Sequence, residues 1–179
     1  MLHTDNPLIS TMDKEYRKLV ASGIVLEGCK IDLKVLCKDV LKYQHWDICH
    51  DELIEFLDQS NKKYKLLLLP RGHLKTSIVT IGLTIQNVLN DLNTTVLLAN
   101  AVWDNARSFL SEIKEYLTTK SILPNIHGKF ESDRWNQDEI TVSQRTKPNK
   151  TPTISTAGID KALASQHYKI IVADDIVNR

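Results

Sequence analysis

Two clusters in this chain have residue types and spacing that could do chemistry: Lys75-Thr76-Ser77 and, about 100 residues on, Asp174-Asp175. A lysine and two hydroxyls behind a tight turn suit a phosphate. Backbone N–H groups and a helix N-terminus cradle its oxygens, the ammonium neutralises charge, and a hydroxyl helps hold Mg²⁺. Adjacent carboxylates at a strand tip suit the other half of such a site, one holding a metal-bound water and the other polarising the attacking water. Neither cluster is specific alone. Leu69 and Leu74 stand at the glycine positions of the pattern G-x-x-x-x-G-K-[ST], and only Gly72 remains. An ordinary strand–turn–helix with a surface Lys-Thr reads the same way, and strands often end in Asp. As an ordered pair, with strand–helix units between them, the clusters point to a phosphate-loop NTPase.

The elements that must position them follow from periodicity. Leu66 to Leu69 read as a strand buried on both faces, as inside a parallel sheet. Pro70 stops it for want of an N–H, and Gly72 permits the turn. The nucleotide-binding segment is thus Pro70, Arg71, Gly72, His73, Leu74, Lys75, Thr76 and Ser77, with His73 as a spacer. Ile78, Val79, Ile81, Leu83, Ile85, Val88 and Leu89 are apolar nearly all round, as for a helix packed deep against a sheet. Thr94 to Ala99 predict a second buried strand. Ala106, Phe109, Leu110, Ile113 and Leu117 form one stripe of a helix over 103–118. Residues 119–138 are polar and turn-rich, and Glu139 to Ser143 alternate as a short strand. Arg145 to Lys150 form a basic, solvated loop, whose minority reading is a phosphate or DNA-backbone contact. Thr151 to Thr156 read as a return strand closed by Gly158, and Ile170 to Ala173 as the strand ending in the acidic pair.

Upstream, three helical stretches form a lead-in over 1–60, before a core over 61–179. The first, over 8–22, carries Leu8, Ile9, Met12, Tyr16, Leu19 and Val20 and ends at Ser22-Gly23. The second carries Leu33, Leu36, Val40 and Leu41. The third, Asp47 to Leu57, places Ile48, Leu53, Ile54 and Leu57 on one side. Strand, helix, strand, helix predicts an α/β fold with a mostly parallel sheet and right-handed crossovers.

Composition narrows the class. With 179 residues there is room for one domain with a real core. A formal charge of +1 does not advertise nucleic acid, so any DNA contact is local. Cys29, Cys37 and Cys49 show no C-x-x-C spacing; they read as reduced, mostly buried thiols rather than zinc ligands with His45 and His50. The N-terminus lacks the basic and apolar regions of a signal peptide, and no apolar run is long enough to span a membrane, so the expectation is a soluble intracellular protein. A nucleotide-binding sheet normally continues past its acidic strand, whereas this sequence stops at Arg179; it reads as a fragment or truncated product.

In this order the residues resemble the large terminase subunit of tailed bacteriophages, the ATPase that packages DNA into the empty prohead. Arg71-Gly-His-Leu-Lys-Thr76 is similar to the family's altered loop Arg-Gly-x-x-Lys-[ST]. Leu98 to Arg107 looks like its Ala-rich helix after the next strand, and Ile154 to Ile159 and Ser165 to Asn178 like its segments leading into Asp-Asp. His50 to Leu57 resembles the helix after its adenine-side motif. The resemblance covers roughly residues 40 to 178 and implies a phosphate-loop fold of the ASCE type (additional strand, catalytic carboxylate), with ATP and Mg²⁺ as cofactors.

Residue by residue, it implies that Lys75 meets the β- and γ-phosphates, Thr76 helps ligate Mg²⁺ and Asp174 holds the metal through water. Asp175 stands where the catalytic carboxylate orients water, a position usually held by Glu. Arg71 matches a loop arginine that stabilises charge on the γ-phosphate. Gln44 is a candidate for reading the adenine edge. His167 stands just before the acidic strand, where relatives often have Arg and where in some the region supplies a finger to the neighbouring subunit, with Arg145 or Lys161 as substitutes. The implied partners are double-stranded DNA, the portal protein, the small terminase subunit and further copies of the chain in a ring, all in the host cytoplasm, with no membrane. The family's nuclease half and the strand inserted after Asp-Asp are expected to lie outside this sequence. Two other readings remain: a helicase- or recombinase-like ATPase of the same architecture, and a nucleotide-binding module without turnover.

Overall fold

Alternating apolar strands and amphipathic helices leave a sheet as the structure that satisfies both periodicities, and a computed structural model describes it over residues 14–59, 62–159 and 166–177. The lead-in is helical: α1 (Lys14–Ile31), α2 (Leu33–Val35, running into a π-helical turn Leu36–Val40) and α3 (Ile48–Gln59). Next comes α4, a π-helical start (Thr76–Gly82) continued as an α-helix (Leu83–Asn90). Then follow β1 (Val96–Asn100), α5 (Trp103–Thr118), α6 (Leu123–His127), β2 (Glu139–Ile140), β3 (Ile154–Gly158) and β4 (Ile170–Ala173).

The sheet runs β2-β3-β1-β4. β1 is its centre, paired in parallel with β3 (Val96 opposite Ile154) and with β4 (Val96 opposite Ile170). β2 is antiparallel to β3, with Ile140 opposite Ile154. The fold is therefore α/β, with a four-stranded, mixed but mostly parallel sheet, flanking helices and an N-terminal helical segment. α5 lies on β1 and β3, and the π-helical start of α4 meets both β4 and α5. Ile78, Ile81, Ile85, Leu98, Leu110, Ile113 and Leu117 are fully buried at this junction. Among the described residues no helix is long and apolar enough to cross a membrane.

Gly82 sets how closely the lead-in sits on the sheet layer. A Cβ there would lie 2.7 Å from Cys37 Sγ and 3.3 Å from Ser77 O, so α2 and α4 touch where only glycine fits. Cys37 and Cys29 are buried free thiols, pushed by burial up to about 12 and about 11 respectively.

Four expectations are corrected. α1 does not end at Ser22-Gly23: Val25, Leu26 and Cys29 carry its apolar period on to Ile31, and a helical glycine costs only about 1 kcal/mol. (Leu8, Ile9 and Met12 lie outside the described residues.) Ile48 is exposed at the open end of α3, while Leu53, Ile54 and Leu57 are buried as expected. Residues 119–138 hold a short helix, α6, with Pro124 in its first turn and buried Leu123. The largest correction concerns Leu66 to Leu69, which form no strand. Leu66 and Leu68 are 80% and 84% exposed, and only Leu67 and Leu69 pack against the core. Four leucines specify burial, not a partner, and a strand exists only when a neighbour takes up its N–H and C=O groups. β4, the last strand in the sheet order, alternates half-buried and exposed residues.

Candidate functional site

The loop ahead of α4 is shaped by two left-handed residues, Gly72 (φ 84°) and Leu74 (φ 49°). Glycine adopts this freely; leucine does so at a cost, and such strained residues cluster where a loop is held for a purpose. His73 Nδ1 lies 3.1 Å from the Arg71 carbonyl oxygen, consistent with a spacer that folds back on its own turn. The helix begins at once: the Ile78 N–H donates to Leu74 O at 2.8 Å, and the earlier N–H groups of the first turn have no intrahelical acceptor.

At the other end of the chain, β4 delivers Asp174 and Asp175 to the same place. Lys75 Nζ lies 2.9 Å from Asp174 Oδ1 and 2.9 Å from Asp175 Oδ1. Thr76 Oγ1 donates to Asp174 Oδ2 at 2.5 Å, and Thr80 Oγ1 to the same oxygen at 3.1 Å. Asp174 is 5% exposed, whereas Asp175 is open to solvent and stands at φ 45°. Burial alone would push the Asp174 carboxyl up. The hydrogen bonds from Thr76 and Lys75, with the lysine's charge, outweigh it and hold the carboxyl below its ordinary range. The bond to Asp174 correspondingly raises Lys75 above the usual lysine value, against a smaller desolvation effect.

Of the residues singled out from sequence, Lys75, Thr76, Asp174 and Asp175 are brought together, and the loop from Pro70 to Leu74 lies beside them. Arg71 is exposed at the loop, and among the described residues its guanidinium makes no ion pair. Gln44 is not brought in: it is exposed, and its amide donates to Lys42 O at 3.2 Å. Arg145 and His167 sit at the opposite end of the parallel sheet from the acidic pair. Arg145 donates to Thr151 O (2.8 Å) and Thr94 O (3.3 Å), and the His167 carbonyl accepts from Thr95 Oγ1, all just ahead of strands β1, β3 and β4. The expected solvated loop thus begins with a half-buried arginine stapling two strand entrances. Lys161 lies outside the described residues. His50 caps its own helix, Nδ1 accepting from Asp47 N–H at 2.8 Å.

Two polar residues at the site escaped the sequence reading. Thr80 lies one helical turn beyond Thr76, and that i, i+4 spacing was the available signal. Asn100 ends β1 and donates from Nδ2 to the Asp174 carbonyl at 2.8 Å; its signal was a polar residue at the tip of an otherwise apolar strand.

Chemically, the arrangement is a buried carboxylate holding two hydroxyls and an ammonium, beside an exposed second carboxylate, at the C-terminal edge of a parallel sheet. Ligands of α/β sheets gather at that edge. Comparison of the chain with protein-family models, with curated proteins and with solved structures finds no match in any of the three.

Proposed function

We propose that the chain is a phosphate-loop ATPase that binds and hydrolyses Mg·ATP. Its resemblance to the terminase large subunit supports a place in the motor that drives double-stranded DNA into a prohead, with the portal, the small subunit and further copies of the chain as its partners there. The observation that carries the reading is the ion pair across the chain, in which one lysine behind a left-handed loop reaches both aspartates of the β4 tip.

The donor set fits the cofactor. Asp174, Thr76 and Thr80 present hard oxygens around one buried carboxylate, which is what Mg²⁺ takes, and a lysine beside them suits phosphate oxygens. In that role Thr76 and Asp174 hold the cation, whose contribution is to neutralise phosphate charge. Lys75 leaves the carboxylates for the phosphates, the first-turn N–H groups of α4 face phosphate oxygens, and Asp175, once released from Lys75, orients water for attack. Arg71, exposed and without an ion pair among the described residues, is free to meet the outermost phosphate.

A second reading, nucleotide binding without turnover, is favoured by one observation: the Asp175 carboxylate is occupied by Lys75. One pair of variants decides between them. Lys75→Ala should abolish binding of a fluorescent ATP analogue, and an unchanged Kd would sink the site. Asp175→Asn should keep the Kd within a few-fold while turnover drops by several orders of magnitude. Binding by the unaltered chain with no measurable hydrolysis establishes the second reading instead.

A further inference from the structure

We propose that Asn100 is the positioning residue of the acidic turn, holding Asp175 in the left-handed backbone from which its carboxylate acts; as regards turnover, this rests on the phosphate-loop reading above. β1 and β4 run in parallel register as far as Ala99 opposite Ala173, and the ladder continues one step further, Asp174 N–H donating to Ala99 O at 2.9 Å. At the next rung a side chain takes over. Asn100 Nδ2 donates to Asp174 O at 2.8 Å, and Ala101 N–H reaches Asp175 O at 3.3 Å. Freed from regular pairing, the backbone turns off at Asp175, at φ 45°, which puts its carboxylate 2.9 Å from Lys75 Nζ.

The orientation of the amide is fixed by its neighbours. Oδ1 accepts from Val102 N–H at 2.8 Å and from Asn105 Nδ2 at 3.2 Å. A backbone N–H can only donate and the Asp174 carbonyl can only accept, so the amide has one consistent setting. Asn100 is 3% exposed, which leaves no water to replace these bonds. The same side chain therefore sets both the start of α5 and the turn carrying the acidic pair, and a displacement of one passes to the other.

The test uses the full chain with Asn100→Ala and the isosteric Asn100→Asp, which keeps the Val102 acceptor but sets an oxygen against the Asp174 carbonyl. Three quantities are read: the Kd for Mg·ATP, turnover per bound nucleotide, and hydrogen exchange at the Ala101 amide in the ligand-free protein. The expected result is a Kd within a few-fold of the parent, turnover lower by about 10- to 100-fold, and Ala101 exchange faster by about tenfold or more. Unchanged turnover, whether or not exchange speeds up, overturns the positioning role. So does a loss of binding that merely follows a fall in Tm, the mark of a structural residue. If the parent chain shows no Lys75-dependent binding, the phosphate-loop reading has failed instead. Exchange at Ala101 then decides alone whether Asn100 holds the turn, unaltered exchange refuting it.

Discussion

Lys75 shares its charge between two carboxylates, so in the ligand-free protein it occupies the position a divalent cation would need. On the proposed Mg·ATP reading, cation and lysine compete for Asp174, whereas cation and phosphate cooperate, because phosphate draws the lysine away. Removing the ammonium should then move two affinities in opposite directions. In calorimetric titrations Lys75→Ala should bind free Mn²⁺ about tenfold or more tightly than the parent while losing the nucleotide; a parallel fall in both would refute the competition. The pair also sets a pH dependence. The depressed Asp174 stabilises the fold above the ordinary carboxylate pKa, and that contribution is lost as pH falls through its folded value. The raised Lys75 contributes fully below the ordinary lysine value and loses its contribution only as pH rises through its own higher folded pKa. The pair's own contribution to the urea midpoint should thus be flat between these limits, and Asp174→Asn should flatten the acid limb while lowering Tm by roughly 4–8 °C, for a loss of about 2 kcal/mol. At this scale the charged members of the site were legible, since Lys-Thr and Asp-Asp are local patterns. Thr80 and Asn100 were not, because their role lies in what they face across the sheet.

The helices read most clearly from sequence, because a stripe such as Ala106, Leu110, Ile113 and Leu117 specifies both the element and its buried side; α5 runs Trp103–Thr118, over the range expected. The leucine run misled because its pairing depends on a neighbour that periodicity cannot name. What it leaves is a row of exposed apolar side chains, Tyr64, Leu66 and Leu68, the kind of patch that promotes association. Leu66→Lys with Leu68→Lys should therefore reduce self-association in sedimentation runs while changing stability by no more than about 0.5 kcal/mol. A large stability loss would mean these leucines are buried in solution. Between elements, Gly82 is the tight point. Alanine there gains up to about 1 kcal/mol of helix propensity but drives a Cβ to 2.7 Å from a buried sulfur, an overpacking cost of about 1–3 kcal/mol. Overpacking wins, so Gly82→Ala should lower the denaturation midpoint. Adding Cys37→Ala should recover part of that loss, a coupling that a double-mutant cycle reads directly.

Across the whole molecule, the site joins segments far apart in sequence: the start of α4 from the first half of the chain and the tip of β4 from its end, with β1 falling between them in the chain. The α/β class was legible because alternating strands and helices leave few alternatives. The sheet order β2-β3-β1-β4 was not, since it is set by which edges meet and not by any one segment's pattern. A ligand that bridges these segments stabilises only the folded chain, because the unfolded chain does not bring them together. At a ligand concentration of about 100 Kd the gain is about 2.7 kcal/mol, which for a chain of this size is a rise in Tm of roughly 5–11 °C. The rise should appear with Mg·ATP and be much smaller with ATP in EDTA, since the free anion meets Asp174 and Asp175 without a cation between. Asp175→Asn should keep the full rise, because it removes a charge that opposes the phosphates and leaves the buried ligands in place. Lys75→Ala should abolish it. Equal shifts for Mg·ATP and ATP in EDTA would mean that nucleotide binds away from the acidic pair, and the site would then have to be sought elsewhere on the sheet.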